Sequence, residues 1–355
     1  QILQPASESR SILNLSTIHG FRANNRGLRT FILGDDISIR INAISAALQT
    51  ARVPRLNSTA WQTLILQKIF YQLCNLSLAP VTLVFVFDGP GRPSIKRSTR
   101  VITRTPWLNQ HLKTMITHFG FYFYDAPGEA EAELAYLNSE GQLDGILTED
   151  SDAFLFGARL VIRTLGPSVQ HHSTVYSMDS IENTEAVCLD REGLILCVLL
   201  LGGDYDDGLH GVGPAVAHAL ALLGFGRDLI NIVNGPSDPQ RDRQLFAWRD
   251  ALRNELRTNS QGRLGHCWPS LADNIPDAFP SLDVITLYTN PLRSASHQYT
   301  GRKPDPACWT PRQPDIASMS AFCSERFGWK GEDLLKRFNA NLWPAVSFRL
   351  ISSVR

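Results

Sequence analysis

The sequence predicts an α/β fold: a twisted, mostly parallel sheet flanked by helices, then a turn-and-helix region and a helical, irregular C-terminal extension. Three observations predict it. Short apolar runs end in acids at Phe31-Ile-Leu-Gly-Asp-Asp36, at Val81-Thr-Leu-Val-Phe-Val-Phe87 before Asp88, and at Leu143 to Leu147 before Thr148-Glu-Asp-Ser-Asp152. Helical periodicity lies between the first two runs. Such runs read as buried strands that deliver carboxylates at their C-terminal ends, where open α/β sheets bind ligands.

Residues 1–30 carry Arg10, Arg22, Arg26 and Arg29 against the single acid Glu8. They read as loop and short helix, either DNA-facing or ordinary surface. After the strand at 31–36, apolar spacing predicts helices over 41–50 (Ile41, Ile44, Ala47, Leu48) and 60–74 (Trp61, Leu64, Ile65, Ile69). Val81–Phe87 is the clearest buried strand, β-branched and aromatic throughout. Residues 89–124 hold six basic residues (Arg92, Lys96, Arg97, Arg100, Arg104, Lys113) and no acid. On its own this is a basic linker and a surface helix. Between two acidic strand ends it suits a phosphodiester substrate, with cations on the backbone and metals at the chemistry. Gly120 to Tyr124 is a short aromatic strand, and Leu160–Arg163 with Thr174–Tyr176 reads as a strand pair.

The stretch from Asp125 to Asp152 contains nine Asp or Glu and no Lys or Arg. Same-sign charges this dense repel one another unless a cation sits among them. A solvated acidic helix is the plain alternative, but these acids lie in apolar sequence. Oxygen-only ligands in an α/β setting suggest Mg²⁺ or Mn²⁺ rather than Zn²⁺. Further on, the apolar helix 194–204 delivers Asp204. The turn Gly208-Leu-His-Gly211-Val-Gly213-Pro214 leads into a helix from Ala215 to Leu223, its exposed N–H groups suited to a DNA phosphate or an ion. Residues 234–245 read as a polar linker, 248–257 as a basic amphipathic helix, 258–315 as long loops, and 316–350 as helices including Glu332 to Leu342.

The totals bound the function. The chain has 355 residues, 43% hydrophobic, and zero net charge, so nucleic-acid binding must come from local patches. Six Cys (74, 188, 197, 267, 308, 323) show no metal-ligand spacing and suggest free thiols in a reducing compartment. No apolar run approaches the roughly 18 residues of a membrane span, so no membrane partner is expected. The chain begins at Gln1 rather than Met, and a few preceding residues are expected.

Five motifs in order carry a family resemblance: Asp36-Ile-Ser, Phe87-Asp88-Gly-Pro, Ala126-Pro-Gly-Glu129-Ala-Glu131-Ala, Thr148-Glu-Asp150-Ser-Asp152 and Gly203-Asp204-Tyr, with the Gly211-Val-Gly213-Pro214 turn after them. The set, over roughly residues 25–225, resembles the XPG/flap-endonuclease superfamily. It looks most like the GEN-type Holliday-junction resolvases, especially their fungal members. The resemblance implies a PIN-like (5′-3′ exonuclease-like) fold. Its regions would be 1–88 and 125–204 for the nuclease, 89–124 for a short basic arch, 205–233 for a helix-two-turn-helix-like DNA-binding region, and 234–355 for an extension of unclear role. It implies Asp36, Asp88, Glu129, Glu131, Asp150, Asp152 and Asp204 as catalytic acids and ligands of two Mg²⁺ ions, with Mn²⁺ able to substitute. Glu133 becomes an acid on the helix face behind them. Lys96 and Arg100 would steer the scissile phosphate, and Arg92, Arg97, Gly211 and Gly213 would join them in holding DNA.

The implied function is structure-specific hydrolysis of branched DNA (5′ flap, fork or Holliday junction) in repair and recombination, in the nucleus, with dimerisation on a four-way junction. Only 40 residues separate Asp88 from Glu129, short for a threading arch, which favours the GEN-type branch. Other departures are Asp35, where the family is usually apolar, Arg40 for an aromatic, and Ala215 for a basic residue. The chromodomain that GEN-type resolvases carry after the nuclease core is missing or unrecognisable up to residue 355. The rival readings are a weak or inactive paralogue that binds branched DNA, and a PIN-type ribonuclease. Seven retained carboxylates count against the first, and the turn after Asp204 counts against the second.

Overall fold

The computed structural model describes residues 2–22, 26–51, 58–93, 95–96, 99–100, 106–163, 169–237 and 239–353, with the backbone alone for 58, 95–96, 99–100, 106 and 353. The strands are β1 (Glu8–Ser11), β2 (Phe31–Asp36), β3 (Val81–Phe87), β4 (Ile95–Lys96), β5 (Thr99–Arg100), β6 (Tyr122–Asp125), β7 (Gly145–Leu147), β8 (Leu160–Arg163) and β9 (His172–Ser177). Seven form one sheet in the order β1-β9-β8-β7-β2-β3-β6, and β4 with β5 forms a separate hairpin. The pairs β8–β7, β7–β2, β2–β3 and β3–β6 are parallel; β8–β9 and β9–β1 are antiparallel. This is the expected mostly parallel sheet.

The central strands are buried on both faces, so they read as continuous apolar runs rather than as alternation. Period-2 geometry sends Ile32, Val84, Val86 and Ile146 into one core, with helices Ala130–Ser139 and Arg191–Leu201. Phe31, Leu33, Leu83 and Phe85 enter the other, with helices Ile37–Thr50, Ser58–Leu76 and Pro106–His118.

Three local expectations are corrected. Residues 8–11, expected in loop or helix, form an antiparallel edge strand on β9. Glu8-Ser-Arg-Ser has neither apolar alternation nor β-branched residues, so only its neighbour makes it a strand. The expected polar linker at 234–245 is largely helix: Pro239–Thr258 is continuous. Its first two turns are polar because burial begins only at Leu245 and Trp248, which left periodicity nothing to detect. The aromatic strand starts at Tyr122 rather than Gly120, because Phe121 is packed into the core ahead of the ladder.

Candidate active site

The register brings the acidic strand ends together. Asp36 lies opposite Val86, two residues before Asp88, and Asp35 lies opposite Leu147, just before Thr148–Asp152. The C-terminal ends of three adjacent parallel strands therefore present Asp36, Asp88 and the Asp150–Asp152 loop along one edge. Helix Ala130–Ser139 starts at the same edge. Glu129 is its N-cap and Glu131 lies in its first turn, so the pair meets at a helix start although i,i+2 residues share no helix face.

Backbone contacts between the loops after β3 and β6 set that start. Gly89 N–H donates to the Gly128 carbonyl at 2.7 Å, and Gly91 N–H to the Pro127 carbonyl at 3.0 Å. A Cβ on Gly89 would fall 1.7 Å from the Ala126 carbonyl oxygen, so only glycine permits the approach. The result is a direct tie: the Ala130 N–H donates to Asp88 Oδ1 at 3.0 Å.

Four of the acids accept hydrogen bonds from protein donors. Asp36 caps helix Ile37–Thr50, accepting from the Ser38 N–H at 2.6 Å. Asp88 Oδ2 accepts from Ser38 Oγ at 2.9 Å and pairs with Arg92 Nη1 at 3.0 Å. Asp150 Oδ1 accepts from the Asp152 N–H at 3.1 Å, and Thr148 Oγ1 accepts from the Asp150 N–H at 3.0 Å. Glu129 accepts a hydrogen bond from the Tyr205 hydroxyl. Asp36, Glu129 and Glu131 are buried, and Asp88, Asp150, Asp152 and Asp204 are half-buried.

Two tyrosines collect the remaining acids. Burial raises the Tyr205 phenol pKa above its ordinary value, and the charges of Glu129 and Glu131 add to the effect. Burial likewise raises Tyr288, helped by the charges of Asp152, Asp204 and Glu129. The two rings lie 4.9 Å apart between centroids. Asp204 thus joins the acids of Ala130–Ser139 and of the 148–152 loop around one aromatic pair.

The donor set is all oxygen, which fits a hard cation such as Mg²⁺ or Mn²⁺. It fits by chemistry and not as a preformed cage. Among the described residues, no group of three or more His, Cys, Asp or Glu closes enough to hold a metal.

Of the expected DNA contacts, Arg92 is seated against Asp88. Arg97 lies outside the described residues, as do the side chains of Lys96 and Arg100. Gly211 has φ +88°, and Gly213 is the N-cap of helix Pro214–Leu222 with open space around it. Lys113 pairs with Asp125 at 2.6 Å.

Glu133 is fully buried, with Oε2 accepting from the Ser294 N–H at 2.8 Å. Burial raises its pKa, and the Ser294 hydrogen bonds oppose this only in part. The two unusual residues, Asp35 and Arg40, are partners. Arg40 Nε donates to Asp35 Oδ1 at 3.1 Å, its Nη2 also bonds Asp35, and its Nη1 donates to Gln72 Oε1 at 2.8 Å. The extra buried charge is neutralised by the other departure.

Sequence reading missed Tyr205, Tyr288, Ser38 and Ser294. Tyr205 and Ser38 stand inside motifs already singled out. Tyr288 and Ser294 lie in an uninformative stretch, and no local signal marks them.

A glycine-closed edge of carboxylates on a parallel sheet is the arrangement expected of a PIN-like nuclease domain. The XPG I-region family model matches residues 120–204, which include Glu129, Glu131, Asp150, Asp152 and Asp204. The chain is 29% identical over 226 residues to DNA repair protein RAD2 of Saccharomyces cerevisiae, covering 63% of this chain and 20% of that protein. It is 33% identical over 191 residues to Flap endonuclease GEN homolog 1 of Mus musculus, covering 48% and 21%. Among solved structures, the eukaryotic junction-resolving enzyme GEN-1 matches with a TM-score of 0.74 and 28% identity, over 97% of this chain and 77% of that one. The Holliday junction-resolving enzyme GEN1 in complex with product DNA and Mg²⁺ matches with a TM-score of 0.72 and 29% identity, over the same shares. The chain is similar to members of the XPG/flap-endonuclease superfamily, with the GEN-type resolvases among its structural neighbours. It matches about a fifth of the length of these curated relatives. Of the two, the GEN-type relative is from mouse and the yeast relative is a RAD2 protein, so the similarity does not single out fungal GEN-type members.

Proposed function

We propose that the chain is a Mg²⁺-dependent, structure-specific endodeoxyribonuclease that hydrolyses phosphodiester bonds in branched DNA: a 5′ flap, a fork or a Holliday junction. The observation that carries this reading is the placement of Asp36, Asp88 and the Asp150–Asp152 loop at the ends of neighbouring parallel strands, with Glu129 at the helix start tied to Asp88. The solved relative in complex with product DNA and Mg²⁺ supports it.

Asp36, Asp88, Glu129, Glu131, Asp150, Asp152 and Asp204 are the residues assigned to hold the metal. When bound, two Mg²⁺ ions, or Mn²⁺ in their place, supply an activated water and charge stabilisation for the leaving 3′ oxygen. The protein's part is positioning. Ser38 and the Ala130 N–H fix the two oxygens of Asp88, and Tyr205 holds Glu129 by its hydroxyl. The open turn at Gly211 and Gly213, leading into helix Pro214–Leu222, offers backbone N–H groups to a DNA phosphate. Lys96, Arg97 and Arg100 are assigned to the scissile-strand backbone, and Arg92 reaches it by releasing Asp88. Cutting a four-way junction symmetrically needs two subunits on opposite strands, so dimerisation on that DNA is part of the proposal. Nuclear action in repair and recombination follows from the substrate class.

One observation favours a second reading, a weak or inactive protein that binds branched DNA. Arg92 already neutralises Asp88, so metal binding there must displace a cation. A nicking assay on 5′ flap, fork and four-way junction DNA separates the two. Mg²⁺-dependent cutting that Asp150→Asn abolishes, with DNA binding retained, supports the enzyme. Binding without any Mg²⁺- or Mn²⁺-dependent cut supports the second reading. Undiminished cutting by Asp150→Asn removes the metal assignment.

A further inference from the structure

One short segment of the C-terminal region lies against three of the backbones that carry the acids. It runs from Tyr288, near the end of helix Leu282–Thr289, to Ser294. Leu292, half-buried, sits across the loops that follow β3 and β6. A Cβ on Gly128 would fall 2.8 Å from the Leu292 carbonyl oxygen, and one on Gly91 would fall 2.4 Å from Leu292 Cδ2. Gly91 closely follows Asp88, and Gly128 immediately precedes Glu129. The bond from the Gly91 N–H to the Pro127 carbonyl joins the two loops. Leu292 therefore packs on the seam that sets Asp88 against the start of helix Ala130–Ser139.

Tyr288 meets the backbone of a third acid. Its hydroxyl is buried, and a Cβ on Gly203 would fall 2.6 Å from it, so the oxygen rests on the chain immediately before Asp204. That hydroxyl has no hydrogen-bond partner. A phenylalanine would fill the same core without burying a polar atom, so packing alone does not account for a tyrosine here. The segment is anchored at both ends. The Tyr288 carbonyl accepts from Arg191 Nη2 at 3.0 Å, and Arg191 Nε donates to the Leu155 carbonyl at 2.7 Å, just past the Asp152–Phe154 turn. At the other end the Ser294 N–H bonds Glu133, on the helix that Glu129 caps.

We infer that Leu292 and Tyr288 are positioning residues for the acidic edge: Leu292 holds the Asp88 and Glu129 loops at one spacing, and the Tyr288 hydroxyl holds the Asp204 backbone against the same cluster. The inference rests on the proposed assignment of those acids as metal ligands. Neither side chain supplies a ligand. Both act through the backbones that carry the carboxylates, and such outer contacts set metal affinity as well as the ligands do.

The test is calorimetric titration of the full chain with Mn²⁺ in the absence of DNA. Thermal melting and the Mg²⁺ concentration for half-maximal nicking of 5′ flap and four-way junction DNA are measured beside it. Leu292→Ala should weaken Mn²⁺ binding and raise the half-maximal Mg²⁺ concentration, each by about tenfold. Leu292→Met refills the seam and should restore both toward wild type. Tyr288→Phe should shift both in the same direction with no fall in melting temperature, because the hydroxyl it removes makes no hydrogen bond. It keeps the ring and its packing, so it carries the test if Leu292→Ala does not fold. Val346→Ala opens a cavity in the core on the other face of the sheet; it should lower the melting temperature and leave Mn²⁺ binding at the wild-type value. Wild-type Mn²⁺ affinity in folded Leu292→Ala and in Tyr288→Phe, beside a wild type that binds Mn²⁺ and cuts, overturns the inference and leaves the proposed function standing. A wild type that neither binds Mn²⁺ nor cuts overturns the metal assignment, and the inference with it.

Discussion

Removing Arg40 tests the most distinctive feature of this site. Asp35 is 1% exposed, on the last turnless residue before the helix cap Asp36, and Arg40 is its cation. Arg40→Met leaves a buried carboxylate without a countercharge, and breaking a buried pair from one side costs about 3–5 kcal/mol. The Arg40 side chain keeps 15% of its surface exposed, which admits some water to Asp35, so about 3 kcal/mol is expected. Asp35→Leu should cost less, because Arg40 keeps Gln72 and can extend toward solvent. The double variant Asp35→Leu/Arg40→Met replaces both charges by apolar groups and should lie within about 1 kcal/mol of wild type. Urea unfolding of the four proteins closes the cycle and gives the coupling directly. Arg40→Met at wild-type stability, or a double variant no better than Arg40→Met, would refute the compensation argument. Cleavage by the double variant should then track its recovered stability, since Asp36 is placed by its own cap hydrogen bonds to Ser38 and Ile39.

Three further outcomes follow. Tyr205→Phe removes the hydroxyl that holds Glu129 and should lower Mg²⁺-dependent cleavage by roughly tenfold while leaving junction binding unchanged in a gel-shift assay. Gly89→Ala forces the Ala126 carbonyl away and should lower both the melting temperature and cleavage; a normal melt with full activity would mean that the loops can part freely. Glu133 has a raised folded-state pKa, so its contribution is fully present below the unfolded value near 4.3 and is lost as pH rises through the raised value. Glu133→Gln keeps an acceptor for the Ser294 N–H and should therefore be more stable than wild type at neutral pH, with the gap closing toward pH 4 in paired urea melts.

The strand ends were legible because a strand buried on both faces is an apolar run, and an acid that stops such a run is conspicuous. Val81–Phe87 followed by Asp88 shows this most clearly. Glu129 and Glu131 were legible only through the motif they share, since i,i+2 spacing argues against a common helix face. The link between Asp35 and Arg40 was not legible. It joins a strand to the second turn of a helix at i,i+5, a spacing that no single-element rule pairs. Likewise β1 is a strand only because β9 offers it a ladder. Tyr288 and Ser294 reach the acids from far along the chain, and Ser294 lies 161 residues from its partner Glu133. Long-range contacts of this kind leave no local pattern.

Those contacts change the standing of the last third of the chain. Trp248, Phe279 and Tyr288 belong to the core on one side of the sheet, and Phe322, Trp329 and Phe338 to the core on the other. Phe70 from helix Ser58–Leu76 meets Trp329 at 5.4 Å and Phe338 at 6.2 Å. Six buried aromatics remove on the order of 1,000 Å² from water, roughly 25 kcal/mol in gross transfer energy. A folded domain has only about 5–15 kcal/mol of net stability, so the nuclease region is not expected to survive without residues 234–355. The carboxylates would feel the loss as well, because Ser294 bonds the helix that carries Glu129 and Glu131, and the Tyr288 ring lies against Tyr205. A chain ending at residue 233 should therefore lack a cooperative melt and show no cleavage. A cooperative, active fragment would establish that the C-terminal region is an accessory to the fold and not part of its two cores.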